Sequence, residues 1–140
     1  MIVVCGGRTQ MSLSDPCDST ARNRQVWQRF SEAWARRDVD GLMALVTDDI
    51  VYGASVGPEP GATFRGRDEA RRGFEQMLRH DQVLREHAGP VVIVGDHGFA
   101  EWTYDVRLAD GHDGRERGID VLEFANGRLA RKDAFRKARS

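Results

Sequence analysis

The stretch from Arg117 to Lys137, RGIDVLEFANGRLARKDAFRK, is the most informative part of the chain because it predicts a β-hairpin with charge on both faces. Residues 119–124 are mainly apolar and include the β-branched Ile119 and Val121, and the dipeptide Asn126-Gly127 is typical of tight hairpin turns. A simple amphipathic hairpin would keep one face free of charge. Here some of the charged side chains must point towards the protein interior.

The length of the hairpin turn decides which charges meet across the strands. A two-residue turn sets Asp120 opposite Asp133, whereas a three-residue turn with Gly127 in the left-handed conformation sets Asp120 opposite Lys132. Opposite charges across a strand pair are favoured by up to about 1 kcal/mol, and like charges are penalised. We therefore predict the three-residue turn, with Asp120 and Lys132 as neighbours on one face.

Composition excludes several classes of protein. The 21 basic and 22 acidic residues nearly cancel, so we expect neither a nucleic-acid partner nor a membrane partner. No apolar run approaches the roughly 18 residues of a membrane span, and the start of the chain lacks a secretory signal, which predicts a cytoplasmic protein. Cys5 and Cys17 have no partners at metal-ligand spacing. We expect no metal, no disulfide framework and no cofactor.

The pattern of apolar residues predicts helices first and most strands later. Residues 1–18 lack periodicity and are predicted to be a flexible leader, with Met11 as an alternative start and one domain over 19–140. Helices are predicted over 19–37, 39–46 with Asp38 as N-cap, and 67–80; strands are predicted over 50–52, 90–94, 99–108, 118–124 and 129–137. This order indicates an α+β fold, in which a curved antiparallel sheet wraps around the N-terminal helices and leaves a cone-shaped pocket.

Four segments, in this order, resemble the nuclear transport factor 2-like superfamily, which includes ketosteroid isomerase, SnoaL-like polyketide cyclases and limonene epoxide hydrolase. The resemblance covers Gln25 to Lys137 and implies a cystatin-like α+β barrel. This superfold hosts many chemistries, so the function has to be argued from the site. The segments are Trp34–Leu42, Asp48–Val51 leading to Val56–Pro60, Phe64–Ala70, and Asp120–Phe124 before Gly127–Leu129.

The ketosteroid isomerase pattern is only partly present. The carboxylic acid that helps to bind the oxyanion in those enzymes falls on Asp120. The tyrosine that shares this task falls on Phe30, and the general base falls on Ala54. The resemblance therefore does not imply steroid isomerisation by that mechanism.

A second acid of the superfamily falls near the end of the chain. The catalytic aspartate of the cyclases and epoxide hydrolases falls on Ala134, one residue after Asp133. A one-residue shift exchanges the two faces of a strand, so Asp133 can occupy that position only if a β-bulge lies between Leu129 and Asp133.

Strand alternation and the resemblance together define a candidate pocket. If Asp120 faces inward, Leu122 and Lys132 share its face. The resemblance places Trp102 and Tyr104 on the inward face of the preceding strand. The candidate catalytic residues are Asp120, Lys132 and Asp133; the candidate ligand-binding residues are Trp102, Tyr104, Phe30, Trp27, Tyr52, His87 and Leu122. Trp34 is favoured as core, and a purely structural Asp120–Lys132 ion pair stays an open alternative.

Two functions fit this pocket. One is a cofactor-free isomerase, cyclase, dehydratase or hydrolase acting on a hydrophobic, polyketide-like or terpenoid-like molecule. The other is a non-catalytic module that binds a small ligand or only dimerises. In both cases we expect a homodimer formed through the outer face of the sheet, where strand alternation predicts an apolar patch of Ile119, Val121, Leu129 and Phe135.

Overall fold

Three helices and six strands make up the computed structural model, which describes residues 16–57, 61–80 and 82–137. The fold is α+β, as predicted. Residues 1–15 lie outside the described residues. They contain Met11 and most of the predicted leader. In chain order the elements are α1 (Pro16–Ala35), α2 (Val39–Met43), β1 (Val46–Gly53), β2 (Thr63–Arg65), α3 (Gly66–His80), β3 (Val83–Val94), β4 (His97–Arg107), β5 (Asp113–Ala125) and β6 (Arg128–Arg136).

The strands form one curved sheet that does not close, in the order β2-β1-β6-β5-β4-β3. Strands β3 to β6 pair antiparallel in sequence order, as do β1 and β2. The sheet is antiparallel as predicted except at one pair, since β1 runs parallel to β6. β2, α3 and the strands β3 to β5 lie between β1 and β6 in the chain, which gives more than enough length for a parallel connection.

The helices pack on the concave face of this sheet through aromatic side chains. Phe30 of α1 and Phe74 of α3 are almost completely buried, and their rings meet edge to face with centroids 5.7 Å apart. Phe74 also contacts Trp34 of α1 and Tyr52 of β1, at centroid distances of 5.9 and 4.7 Å. In the described part of the chain, none of the helices is both long and apolar enough to cross a membrane.

The helix boundaries differ from the predictions at two places. Helix α1 begins at Pro16, three residues before the predicted start of the domain at residue 19. Asp38 caps α2 as predicted, since its side chain accepts a hydrogen bond of 2.9 Å from the Gly41 N–H. Helix α2 ends at Met43 rather than at residue 46, because β1 already begins at Val46 and pairs there with Leu129 of β6.

The turn between β5 and β6 has two residues, so the predicted three-residue turn was wrong. Ala125 pairs with Arg128, and both turn residues have positive φ angles, 52° for Asn126 and 76° for Gly127. Asn-Gly adopts this conformation at little cost, and its twist matches that of the flanking strands. The local preference of the turn therefore prevailed over the cross-strand charge pairing.

A β-bulge then restores the predicted face. Phe124 pairs with Leu129 but Glu123 pairs with Arg131, which leaves Ala130 as an extra residue in β6. Beyond this bulge Asp120 lies opposite Ala134, and Lys132 lies opposite Leu122. Asp120 and Lys132 are thus diagonal neighbours on one face, rather than directly opposite as predicted.

Replacing Phe74 by Ala tests the aromatic contact between the helices and the sheet. Because the ring is fully buried among three other aromatic rings, we expect a loss of about 3–5 kcal/mol in the free energy of unfolding. Urea denaturation measures this loss. The control is Leu84→Ala on β3, whose side chain is 51% exposed and should cost under about 1 kcal/mol. Equal losses in the two variants would contradict this account of the core.

Candidate active site

A cavity of about 620 Å³ opens between α1 and the concave face of the sheet. Helix α1 supplies one wall, β3 and β4 supply the opposite wall, and Asp120 of β5 and Lys132 of β6 lie at the base. The chain contains three Trp residues, and all of them line this cavity. Its aromatic lining consists of Trp27, Phe30, Trp34, Trp102 and Tyr104. Such walls suit a flat apolar or aromatic ligand.

Six of the seven predicted ligand-binding residues divide into two groups, and the seventh, His87, lies at the cavity rim. Trp27, Phe30, Trp102 and Tyr104 lie on the cavity wall. Tyr52 and Leu122 are completely buried in the core instead. The ring of Tyr52 packs against Phe74 of α3 and Phe64 of β2, neither of which lines the cavity. Trp34, favoured as core, is only partly buried and lines the cavity.

Asp120 is the buried acid of the cavity base, with 5% of the residue exposed. Its Oδ1 accepts a hydrogen bond of 3.1 Å from Trp102 Nε1 and lies 3.4 Å from Lys132 Nζ. Both contacts fall on the same oxygen. Among the described residues they therefore leave Oδ2 as the carboxyl oxygen that can meet a ligand in the cavity.

The protonation of Asp120 reflects opposing influences. Burial raises the pKa of this carboxyl, whereas the charge of Lys132 and the hydrogen bond from Trp102 act in the other direction. The net pKa lies above the ordinary range of an aspartate. An acid whose pKa is raised in this way can hold a proton on Oδ2 at a higher pH than a surface aspartate can, which is what a general acid needs.

Lys132 is held at the cavity base by aromatic rings as well as by Asp120. Its side chain is 7% exposed, and Nζ lies 4.7 Å from the centroid of the Trp34 ring and 5.1 Å from that of Tyr52. The negative faces of both rings attract the ammonium group and replace part of its lost hydration. The charge is thereby fixed within reach of a negative charge that develops at the cavity base.

The indole of Trp102 is positioned from three sides. Its ring stacks on Tyr104 with a centroid distance of 5.0 Å, and the guanidinium of Arg136 lies 5.1 Å from its centroid. Arg136 in turn forms an ion pair with Glu116 and donates a hydrogen bond of 3.2 Å to Ser55 Oγ. Gly118 lies opposite Trp102 in β5, and the indole occupies the space that a Cβ atom at Gly118 would need.

Asp133 lies outside the cavity, and His87 lies at its rim with its ring directed to Asp105. The bulge that Asp133 requires is present at Ala130, but Lys132 and Ala134 are the buried residues of this part of β6. Asp133 pairs with Arg131 at 2.9 Å and does not line the cavity. His87 lies at the cavity rim, yet its Nε2 is 2.7 Å from Asp105 Oδ2, on the opposite side of β4 from Trp102 and Tyr104.

Glu86 is a cavity residue that the sequence analysis did not identify. It lies on β3 directly opposite Tyr104, and cross-strand partners project from the same face of a sheet. The signal was present in the alternation of β3, but the predicted strand began at residue 90 and so missed it. Within the described residues, no group of three or more His, Cys, Asp or Glu side chains is arranged to hold a metal ion.

Comparison with known proteins places this geometry in a family. The model of the SnoaL-like domain matches residues 27–132, which is more than half of the chain and includes every residue of the cavity lining except Arg24. The chain belongs to the SnoaL-like domain family. No curated protein matches it in sequence.

Solved structures of the same fold are also similar to this SnoaL-like chain. An NTF2-like protein of unknown function from Mesorhizobium loti has a TM-score of 0.72 and 22% identity, over 86% of this chain and 95% of that one. A candidate ketosteroid isomerase from Kribbella flavida has 0.68 and 16%, over 87% and 82%. A candidate polyketide cyclase from Xanthomonas campestris has 0.64 and 19%, over 84% and 91%. At these identities the likeness concerns the fold.

Replacing Gly118 by Ala tests the placement of Trp102. The new methyl group would overlap the indole and the backbone oxygen of Phe135, so Trp102 has to move away from Asp120. We expect a changed near-ultraviolet circular dichroism spectrum and a lower melting temperature. The matched control is Gly114→Ala on the same strand, where the added atom meets only the flexible side chain of Leu108 at 3.0–3.1 Å. Identical behaviour of the two variants would contradict the tight placement of the indole.

Proposed function

We propose that this SnoaL-like domain is a cofactor-independent acid–base enzyme whose proton-transfer group is Asp120. The supporting observation is the environment of that carboxyl at the base of an aromatic cavity, with its pKa raised by burial and with both Trp102 and Lys132 on Oδ1. The reaction is an isomerisation, cyclisation, dehydration or hydrolysis. Structures described as isomerases and a polyketide cyclase share the fold, which supports this range of reactions.

In the proposed reaction Asp120 acts as a general acid towards a substrate oxygen. Its neutral form donates from Oδ2 to a carbonyl or leaving-group oxygen on which negative charge develops. Lys132, 3.4 Å from Oδ1, stabilises that charge electrostatically and then stabilises the aspartate anion once the proton has gone. Trp102 holds the carboxyl in place through Oδ1. Preorganisation of this kind lowers the barrier because these groups are already oriented before the reaction begins.

The proposed substrate is a hydrophobic molecule of polyketide-like or terpenoid-like character. The cavity volume of about 620 Å³ lies within the range of sites for drug-sized molecules. Stacked Trp102 and Tyr104 on one wall and Trp27 and Phe30 on the other present flat aromatic faces. A conjugated ketone fits between these walls with its oxygen at Asp120.

A non-catalytic ligand-binding module is the second candidate. It is favoured by the two positions where related enzymes carry a carboxylate and this chain carries Ala54 and Ala134, both buried. In that case Asp120 and Lys132 form a structural ion pair, and the cavity binds a ligand without changing it.

Exchange of hydrogen for deuterium in 2-tetralone distinguishes the two candidates. In deuterated buffer, a protein that donates a deuteron to the ketone oxygen, while solvent water removes a proton from the adjacent carbon, accelerates enol formation. The enol then takes up deuterium beside the carbonyl, which mass spectrometry measures. The Asp120→Asn variant keeps the shape but cannot transfer a proton, so the acceleration should fall by roughly a hundredfold or more. Asp133→Asn is the matched control; because Asp133 lies outside the cavity, it should change the rate by less than about threefold.

Stability measurements complete this test. If the pair is only structural, Asp120→Asn leaves Lys132 buried without its counter-charge and costs about 3–5 kcal/mol, and the double variant with Lys132→Met recovers most of that loss. Recovery in the double variant, together with exchange no faster than in buffer for the parent protein, would refute the enzymatic proposal.

We also propose that two copies of the chain pair through the outer face of the sheet. Exposed apolar side chains lie on this face, at Val92, Val94, Phe99 and Phe135. Val92, Phe99 and Val121 stand side by side on neighbouring strands. Leu129, predicted to join this patch, is completely buried, because it precedes the bulge at Ala130 and so faces the core. A second copy would remove these side chains from water.

Sedimentation equilibrium at micromolar concentration tests this assembly. We expect twice the mass of the chain for the parent protein and a monomer for Phe135→Asp, because that side chain is 53% exposed and its charge would face the partner. Arg72→Asp on the exposed side of α3 should remain a dimer. A parent protein that sediments as a monomer would exclude pairing through this face.

A further inference from the structure

The mouth of the cavity holds a carboxyl that the proposed acid–base chemistry does not use. Glu86 lies on β3 opposite Tyr104, whose ring stacks on Trp102 at 5.0 Å. Because cross-strand partners project from the same face, the Glu86 side chain shares the wall of Trp102 and Tyr104. A carboxylate among aromatic faces presents two features that attract a cation, since the ring faces are negative as well.

Glu86 has no hydrogen bond or ion pair within the described part of the chain. Arg37, two residues after the end of α1, lies near enough for its charge to act on Glu86, but its Nη1 donates a hydrogen bond of 2.6 Å to the carbonyl oxygen of Leu78. The carboxyl reaches water through the open mouth of the cavity. Glu86 is an exposed residue, but the protein encloses part of its carboxyl, and this partial desolvation raises its pKa, with the charge of Arg37 acting in the opposite direction. Its acceptor oxygens are available to a ligand.

Glu86 and Asp120 mark two ends of the cavity. Along β4, Asp120 lies opposite Ala100 and Glu86 lies opposite Tyr104, on the two strands that flank β4. Four residues of a strand span roughly 13 Å. A ligand that reaches both carboxyls is therefore elongated, with a polar group at each end and an apolar body between the aromatic walls.

The two ends differ in charge. At the base, Lys132 offsets the charge of Asp120. Glu86 has no such ion-pair partner among the described residues. Apart from Asp120 and Lys132, the other Arg, Lys, Asp and Glu residues of the lining are Arg24 and Glu32 of α1 and Glu101 of β4, so acidic residues outnumber basic ones away from the base. A positive group is thus better accommodated at the mouth than at the base.

We propose that Glu86 selects ligands that carry an ammonium group, so that the substrate class is an elongated aromatic or polycyclic amine with an oxygen function at its other end. This inference rests on the proposed function of the same cavity. The ammonium donates hydrogen bonds to the Glu86 carboxylate and lies against Tyr104, while the body of the molecule lies along Trp102 towards Asp120.

Three ligands with the same body test the proposal: 4-phenylbenzylammonium, 4-phenylbenzyl alcohol and 4-phenylbenzoate. Isothermal titration calorimetry at pH 7 measures the dissociation constant of each. We expect the ammonium to bind about tenfold more tightly than the alcohol, and the carboxylate most weakly, because only the cation pairs with Glu86. In Glu86→Gln the advantage of the ammonium over the alcohol should fall to about twofold or less, with the affinity for the alcohol unchanged.

Glu32→Gln is the matched control, since it removes the same charge from the α1 side of the same cavity. It should preserve most of the preference for the ammonium. An equal loss of preference in both variants would overturn the assignment to Glu86 in favour of a general field at the mouth. A parent protein that binds the alcohol as tightly as the ammonium would overturn it as well.

The pH dependence gives an independent readout. The preference for the ammonium requires ionised Glu86, so it is present above the pKa of that carboxyl and is lost as the pH falls through it. Because this pKa is raised, the loss should occur at a higher pH than for an ordinary glutamate, and it should be absent from Glu86→Gln. A preference that persists unchanged down to pH 4 would contradict the role of Glu86.

The test separates this inference from the proposed function. One outcome is that the parent protein binds the alcohol without preferring the ammonium, and that Trp102→Ala weakens this binding. Such a result supports the aromatic ligand cavity and refutes only the role of Glu86. Failure of all three ligands to bind refutes the inference together with the aromatic ligand site on which it rests.

Discussion

The extra residue Ala130 in β6 determines which side chains reach the cavity. Leu129 before it is completely buried in the core. Under strict alternation Arg131 and Asp133 would follow Leu129 inward, and Lys132 would point to the outer face. The bulge reverses the alternation, so that Lys132 reaches Asp120 while Arg131 and Asp133 pair with each other at 2.9 Å on the outer face.

Each basic side chain that this bulge directs inward has an acidic ion-pair partner on β5. Lys132 lies beside Asp120 at the cavity base, and Arg136 forms an ion pair with Glu116 nearer the other end of the hairpin. Burying an unpaired charge would cost several kcal/mol, so these pairs have to form for the hairpin to pack as it does. The aromatic rings of Trp34 and Trp102 cover the two cations and join the charged hairpin to the apolar wall.

The elements of the fold could largely be predicted from periodicity, whereas the pairing of the last hairpin could not. The aromatic stripe of α1 and the Asn-Gly turn are local signals, and both are present in the structure. The bulge at Ala130 has no local signal, because it results from the simultaneous demand that Leu129 and Lys132 both face inward. The predicted proximity of Asp120 and Lys132 nevertheless holds, since the observed and predicted pairings differ by two residues and therefore keep the same face.

The assignment of aromatic residues to core or cavity depended on long-range packing in the same way. Trp34 and Tyr52 both contact Lys132, yet Trp34 lies on the cavity wall and Tyr52 is sealed beneath α3 by Phe74. Sequence spacing cannot distinguish these positions, because it shows that a face is apolar without showing what covers it. Glu86 was missed for a related reason. The paired length of β3 is set by its partner β4, which begins at His97 and extends the hairpin back to Val83, far beyond the apolar run that marks the strand in the sequence.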